Sequence, residues 1–278
     1  MKFKIVADAA CDIPDAYKDK FDITIIPIEV RFGEELYPEG LETREFYKKV
    51  EQSDIIPKTS MPNAYKFENF LKDYANKDDV FVIAILISME LSPTKLQVQM
   101  AADNLGMKNI FIEESASATV GQGAIICELC KFIEKEQDIE KIKREFYRLR
   151  DSMRIFAVVD DLKYLRSSGR LSGASAVLGK MLNVKPIIAV QDGKILNIAK
   201  CMGTIKADNF IIDKMKNVDS NHPLYVVHSD TPENAERLKN KIKPLLSENQ
   251  EIVESEIGYV VGSHVGPKCY GYGYFEKQ

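Results

Sequence analysis

The chain alternates short, unbroken apolar runs with longer stretches whose apolar residues recur every three to four positions. An unbroken run marks a strand covered on both faces, and the three-to-four spacing marks a helix with one buried side. Residues 3–7 predict the first strand, and Asp12-Ile13-Pro14 predicts the opening of a short helix capped by Asp12. Residues 23–31 read as extended. Residues 43–51 read as a helix, with Thr43 placed to cap it and Phe46 and Tyr47 on its buried face. Residues 64–74 carry Tyr65, Phe67, Phe70, Leu71 and Tyr74 at helical spacing. Then follow a doubly covered strand (80–87), a helix (93–105), a strand (109–112), an apolar helix (121–135) and an amphipathic one (139–153). Such strand–helix alternation predicts an α/β fold with a mainly parallel sheet flanked by helices.

The pattern changes after about residue 153. Strands are expected at 155–159, 186–190, 194–199 and 224–228, helices at 174–182, 205–215 and 234–245, and two final extended runs at 253–261 and 270–275. Asp192-Gly193 between two of these strands is a hairpin signal, so antiparallel pairing is expected. The expected organisation is an α/β domain over 1–153 and an α+β domain with a mixed or antiparallel sheet over 154–278. No Gly-, Pro- or Ser-rich linker separates them, so the two should pack closely.

Composition narrows the function classes. With 278 residues, 45% of them hydrophobic, the chain can bury a sizeable core. A net charge of -4 and the lack of any basic block argue against nucleic acid as a partner. The first residues run straight into a strand without the apolar core of a signal peptide, and no apolar stretch nears the roughly 18 residues that span a bilayer. A cytoplasmic protein without stable membrane insertion is the expectation. Five cysteines, an odd number, read as free thiols in that setting. Cys127 and Cys130 stand in mid-helix on an apolar face, without the further ligands that zinc needs. No metal or cofactor is expected.

Two turns carry hydroxyls before a proline and a helix: Thr59-Ser60-Met61-Pro62 and Leu91-Ser92-Pro93-Thr94. A helix N-terminus presents free N–H groups and partial positive charge, so such turns suit an anion. Each serine taken alone is better explained as a helix cap; the matching pair brings the alternative, that both turns converge on one anionic head group, level with it. His264, in a Gly-Ser-His-Val-Gly-Pro segment, can serve an anion or stand in a surface loop, and His222 and His228 read as structural. Arg170, in a basic glycine-bearing loop, can meet a phosphate or a partner, or pair on the surface. A Ser–His–Asp system lacks the G-x-S-x-G elbow, and Gly121-Gln122-Gly123 lacks the third glycine of a dinucleotide loop. Asp8 and Asp12 could hold a magnesium ion, but a strand end and a helix cap explain them more simply.

Taken in order, these segments resemble a known family. Asp8-x-x-x-Asp12, residues 57–62 (Pro-Lys-Thr-Ser-Met-Pro), residues 91–94, Glu114-Ser115 with Gly121-x-Gly123, residues 161–165 leading to Gly169-Arg170, Lys185-Pro186, Asp192-Gly193 and residues 263–267 (Ser-His-Val-Gly-Pro) are similar to the motifs of the DegV family of bacterial fatty-acid-binding proteins. The resemblance covers essentially the whole chain. It implies a tunnel between two domains that holds one long-chain fatty acid, C14–C18 or similar, as ligand. Its carboxylate would be bound by Thr59 and Ser92, with His264 at the corresponding loop and Ser60 in support. It further implies that some members present the acyl group to a fatty acid kinase for phospholipid synthesis, a step to which Arg170 corresponds. Departures are visible: Ala9 follows Asp8 where serine is usual, Met61 replaces glutamine, Pro93 replaces glycine, Val265 replaces threonine, and Met202 stands where a second arginine is expected. Binding is therefore better supported than the kinase role. A non-enzymatic carrier is the leading expectation. A hydrolase or phosphotransferase using the same hydroxyls with His264 is the alternative, and a lipid-shaped sensor a third.

Overall fold

The computed structural model describes residues 1–38, 42–173 and 183–278. From the amino terminus, β1 (Lys2–Asp8) leads through α1 (Asp15–Phe21) to β2 (Thr24–Ile26). Next come β3 (Glu29–Phe32), β4 (Glu35–Leu36), α2 (Thr43–Gln52), β5 (Lys58–Ser60) and α3 (Ala64–Leu71). This half ends with β6 (Val80–Leu86), α4 (Thr94–Asn104), β7 (Ile110–Glu114), α5 (Thr119–Ile133) and α6 (Ile139–Ser152). Strands β2, β1, β6 and β7 lie side by side in that order, all parallel. β6 reads Val-Phe-Val-Ile-Ala-Ile-Leu and is buried from Val82 onward, as a central parallel strand covered by helices on both faces must be.

The second half supplies β8 (Met153–Val158), α7 (Lys163–Ser167), β9 (Leu171–Ser172), β10 (Val184–Gln191), β11 (Lys194–Met202) and α8 (Thr204–Ile212). It continues with β12 (Leu224–His228), α9 (Pro232–Ile242), β13 (Ile252–Glu256), α10 (Tyr259–Val265) and β14 (Tyr270–Phe275). These strands form one mixed sheet in the order β13-β12-β14-β8-β10-β11-β9. The β12–β13 and β11–β9 pairs are parallel and the others antiparallel. The β10–β11 hairpin turns at Asp192-Gly193, both at positive φ, as the sequence signal predicts.

Helix α5 joins the halves. It contacts β6 of the first sheet and β8, β12 and β14 of the second, and Val120–Cys130 are all buried. Apart from Gln122 and Glu128 this stretch is made of apolar and small residues, the expected form for a helix covered on both sides. Its two glycines allow the approach: a Cβ at position 121 would lie 2.3 Å from Ile155 Cδ1, and one at 123 would lie 2.4 Å from the Cys11 carbonyl oxygen. The Gly-x-Gly pair is thus a packing feature. One continuous core contains Ile5, Ile83, Ile125 and Phe146 together with Ile155, Tyr225 and Phe275.

Several expectations need correction. Residues 23–31 do not form one strand; β2 and β3 flank Pro27, and β3 joins β4 and β5 in a separate three-stranded antiparallel sheet. Asp12 does not cap α1, which begins after Pro14; its carboxylate turns instead toward Thr119 and Gly258. Glu42, not Thr43, precedes α2. Thr59 and Ser60 are not at a helix start. Pro62 disfavours helix in the residue before it, so the segment stays extended as β5, and Asn63 caps α3 by accepting from the Lys66 N–H. Ser92 is likewise one residue too early to cap; Pro93 flanks α4 and the Ser92 hydroxyl meets that of Thr94 at 2.8 Å. The basic loop around residue 165 contains the short helix α7. The strand expected over 253–261 stops at Glu256, and His264 lies in α10, not in a loop. At that junction the Gly258 N–H is taken by Asp12 and the Ile257 carbonyl by the Tyr47 hydroxyl, so the chain cannot extend a ladder and turns into a helix. The helix expected at 174–182 lies outside the described residues.

Candidate ligand-binding site

Sheet pleat decides which residues face inward. Thr59 sits opposite Val30 and Ser60 opposite Glu29, so the two neighbouring hydroxyls point to opposite faces of β5. Thr59 lines a cavity of about 120 Å³, several times the space one water needs. Ser60 turns away from it and donates to a Glu29 carboxylate oxygen at 3.2 Å. Of the apolar runs, only Ile28 of residues 25–28 and Ile87 of residues 83–87 reach the cavity wall; Ile28 lies between β2 and β3 and Ile87 just past the end of β6.

The polar end of the cavity brings together Thr59, Ser92, Arg170 and His264. Thr59 Oγ1 and His264 Nε2 are 2.9 Å apart, linking β5 to α10 across 205 residues of chain. His264 Nδ1 is buried without a partner among the described residues. Burial, and secondarily the charge of Arg170, push the imidazole down to about 4, so it is neutral at pH 7. In the tautomer that carries its proton on Nε2, the ring donates to Thr59 and the threonine O–H is free to donate to a ligand oxygen. Arg170 Nε donates to the Leu91 carbonyl at 3.2 Å and Nη1 to that of Ser168, which leaves outer guanidinium N–H groups for an anion. No carboxylate lines the cavity among the described residues, so its polar end carries one net positive charge. The rest is apolar: Ala10, Ile28, Ile87 and Ala118 on the N-terminal side, Ile195, Val260, Val261 and Val265 on the other.

A mostly apolar cavity with one cation, hydroxyls and a neutral imidazole among its lining is complementary to an amphiphile with an anionic head. A sequence model described as an uncharacterised protein of the DegV family matches residues 2–277. The chain belongs to the DegV family. It is 29% identical to a DegV domain-containing protein of Caldanaerobacter subterraneus, over 99% of both chains. Its fold matches that of DegV, a fatty acid binding protein from Bacillus subtilis, with a TM-score of 0.85, 27% identity and full coverage of both chains. It also matches a stearic acid-binding protein from Eubacterium ventriosum, with a TM-score of 0.87 and 25% identity over 99% of this chain and 98% of that one.

Other chemistry is thinly represented in this DegV chain. Among the described residues no three His, Cys, Asp or Glu side chains are placed to hold a metal ion, and no helix is long and apolar enough to cross a membrane. Cys11, Cys127, Cys130 and Cys269 are buried and unpaired, and burial raises their thiols well above the ordinary range, which makes them poor nucleophiles. His222 is held by Glu128 at 2.7 Å beside Arg148 and Tyr225, and none of these four residues lines the cavity. Sequence reasoning missed the wall residues Ala10, Ala118, Val260 and Val261. Two are loop alanines and two belong to the segment expected to be a strand, so nothing in their local pattern distinguishes a cavity wall from ordinary core.

Proposed function

We propose that this DegV protein binds a long-chain fatty acid, with the acyl chain in the apolar cavity and the carboxylate at Thr59, Ser92, His264 and Arg170. The observation that carries the reading is the Thr59–His264 pair at the one charged end of an otherwise apolar cavity. Arg170 supplies charge, and the Thr59 hydroxyl, oriented by the imidazole, supplies a directed hydrogen bond. Burial of about 0.8 kcal/mol per methylene lets the chain supply most of the affinity. The relatives' described binding of fatty acids, stearic acid among them, supports the same ligand class.

Catalysis by the same residues is less well supported. Among the described residues no carboxylate orients His264, and an imidazole held near 4 is a weak general base at neutral pH. Delivery of the bound acid to a fatty acid kinase is a separable second part of the proposal. Only Arg170 of the two arginines associated with it is present, Met202 being 57% exposed at the other position. Conversion of protein-bound acid to acyl phosphate on adding a fatty acid kinase and ATP tests that part.

Native mass spectrometry of the purified protein should show one fatty acid of about C14–C18, and delipidated protein should take up stearate in a one-to-one titration. Replacing both Thr59 and Ser92 by alanine should weaken stearate binding about 30- to 160-fold, at about 1–1.5 kcal/mol for each of two head-group hydrogen bonds, with the fold intact. An empty protein that refuses added stearate would overturn the reading.

A further inference from the structure

Behind the cavity floor, three of its walls meet at one carboxylate that does not itself line it. Asp12 follows the wall residue Ala10 by two positions. Its Oδ2 accepts from Thr119 Oγ1 at 2.6 Å, and Thr119 opens α5 next to the wall residue Ala118. Its Oδ1 accepts from the Gly258 N–H at 2.9 Å, at the entry to α10. Two further bonds tie the same three segments: Ser255 Oγ donates to the Asp12 carbonyl at 2.5 Å, and the Thr119 N–H donates to the Ala10 carbonyl at 2.6 Å.

The backbone marks the same spot. Asp12 has φ +39° and Thr119 φ +46°. Left-handed backbone costs a non-glycine residue about 1–3 kcal/mol and is a marked outlier for a β-branched one. Such strain persists where the surroundings over-determine it and concentrates at functional sites. Here the two strained residues are hydrogen-bonded to each other.

What this junction aims is α10. That helix sends Val260, Val261, His264 and Val265 to the cavity, and Gly258 to His264 spans about 9 Å of rigid helix, at about 1.5 Å per residue. A shift at its entry is passed on to the imidazole, whose bond to Thr59 tolerates little movement. We propose that Asp12 is a positioning residue for ligand binding: it fixes the entry of α10 and thereby holds His264 against Thr59. The proposal rests on the reading that a carboxylate binds at that pair. The task is geometric and needs no charge, because an asparagine amide can accept from Gly258 with its oxygen and donate to Thr119 with its nitrogen.

The test uses full-length delipidated protein and stearate. Asp12→Ala should lower affinity about tenfold, and Asp12→Asn should restore most of it. In a His264→Ala background, Asp12→Ala should change affinity by less than about twofold, since the two losses share one route. Equal losses with and without His264, or no loss at all in a wild type that binds stearate, overturn the proposal. If Asp12→Ala does not fold, Thr119→Val, which removes only the hydroxyl, is put through the same cycle with the same criterion. The ring ¹⁵N shifts of His264 in lipid-free protein provide a readout independent of binding. They should move in Asp12→Ala and return in Asp12→Asn, and unmoved shifts overturn the proposal. A wild type that takes no stearate, with ring shifts that do move, removes the binding reading and leaves the placement of His264 by Asp12 standing.

Discussion

His264 shows how one side chain's surroundings set its chemistry. Its imidazole is buried on a helix, touches Thr59 and feels Arg170; burial first, and the Arg170 charge second, favour the neutral form. The consequence for stability has a definite sign. A free histidine titrates near ~6.5, and here the folded value is about 4. Above pH 6.5 the ring is neutral in both states and contributes no pH dependence. As pH falls from 6.5 toward 4, the unfolded chain takes up a proton that the folded one refuses, so stability is lost, by about 2 kcal/mol between pH 7 and pH 5. Asp8 and Asp12 act in the opposite sense, because burial raises them to about 6 and about 7, so the folded chain holds those protons first. Urea unfolding of wild type and His264→Gln at both pH values cancels the aspartates. The wild type should lose about 2 kcal/mol more than the variant, and equal losses would show that the ring is not held neutral. The identity of the polar side chains at this site was legible in the sequence, but their setting was not. Thr59 and Ser92 suggested two helix starts, whereas the structure has a strand residue and the residue before a proline. The link between Thr59 and His264 spans 205 residues, beyond the reach of any local pattern.

At the scale of elements, long periodic segments such as α2, α6 and the all-apolar β6 were readable, because their burial pattern repeats at one period over two or more turns or a full strand. Short elements that depend on distant partners were not. β3, β4 and β5 have two to four residues each and exist only by pairing with one another. α10 is the clearest case: Tyr-Val-Val-Gly-Ser-His-Val favours a strand by propensity, yet it is a helix. Tertiary contacts decide it. The back of α10 packs at Gly262 against α2, where a Cβ would lie 2.5 Å from the Tyr47 hydroxyl and 3.0 Å from Phe46 Cε1. Gly262→Ala therefore opposes two effects. Helix propensity alone would favour alanine by about 1 kcal/mol. Crowding of two fully buried aromatic rings, with displacement of the Tyr47–Ile257 hydrogen bond at 2.7 Å, costs about 1–3 kcal/mol and should prevail. Denaturant unfolding should show a net loss of stability together with weaker stearate binding. A variant as stable as wild type would mean that α10 is not seated on α2 in this way.

For the whole molecule, the cavity draws its walls from both ends of the chain, from Ala10 to Val265, and the core is shared in the same manner. We propose the division into 1–153 and 154–278 as one of chain segments with their own sheets, not of units that are stable apart. α5 makes the argument concrete. Its Val120–Cys130 stretch is buried all round, with β6 on one side and β8, β12 and β14 on the other. Removing residues 154–278 would expose the second side of that helix, and each large apolar side chain uncovered there costs about 1.5–3 kcal/mol. A few such side chains equal the whole stability of about 5–15 kcal/mol that a typical domain possesses. Residues 1–153 produced alone should therefore show no cooperative thermal transition, and neither segment alone should bind stearate. Intact protein should unfold in a single transition that moves upward with stearate, by about 2.7 kcal/mol of added stability at a free concentration of 100 times Kd. A cooperatively folding 1–153 segment, or two transitions in the intact chain of which stearate shifts only one, would show that the shared core does not couple the halves and that the cavity belongs to one of them.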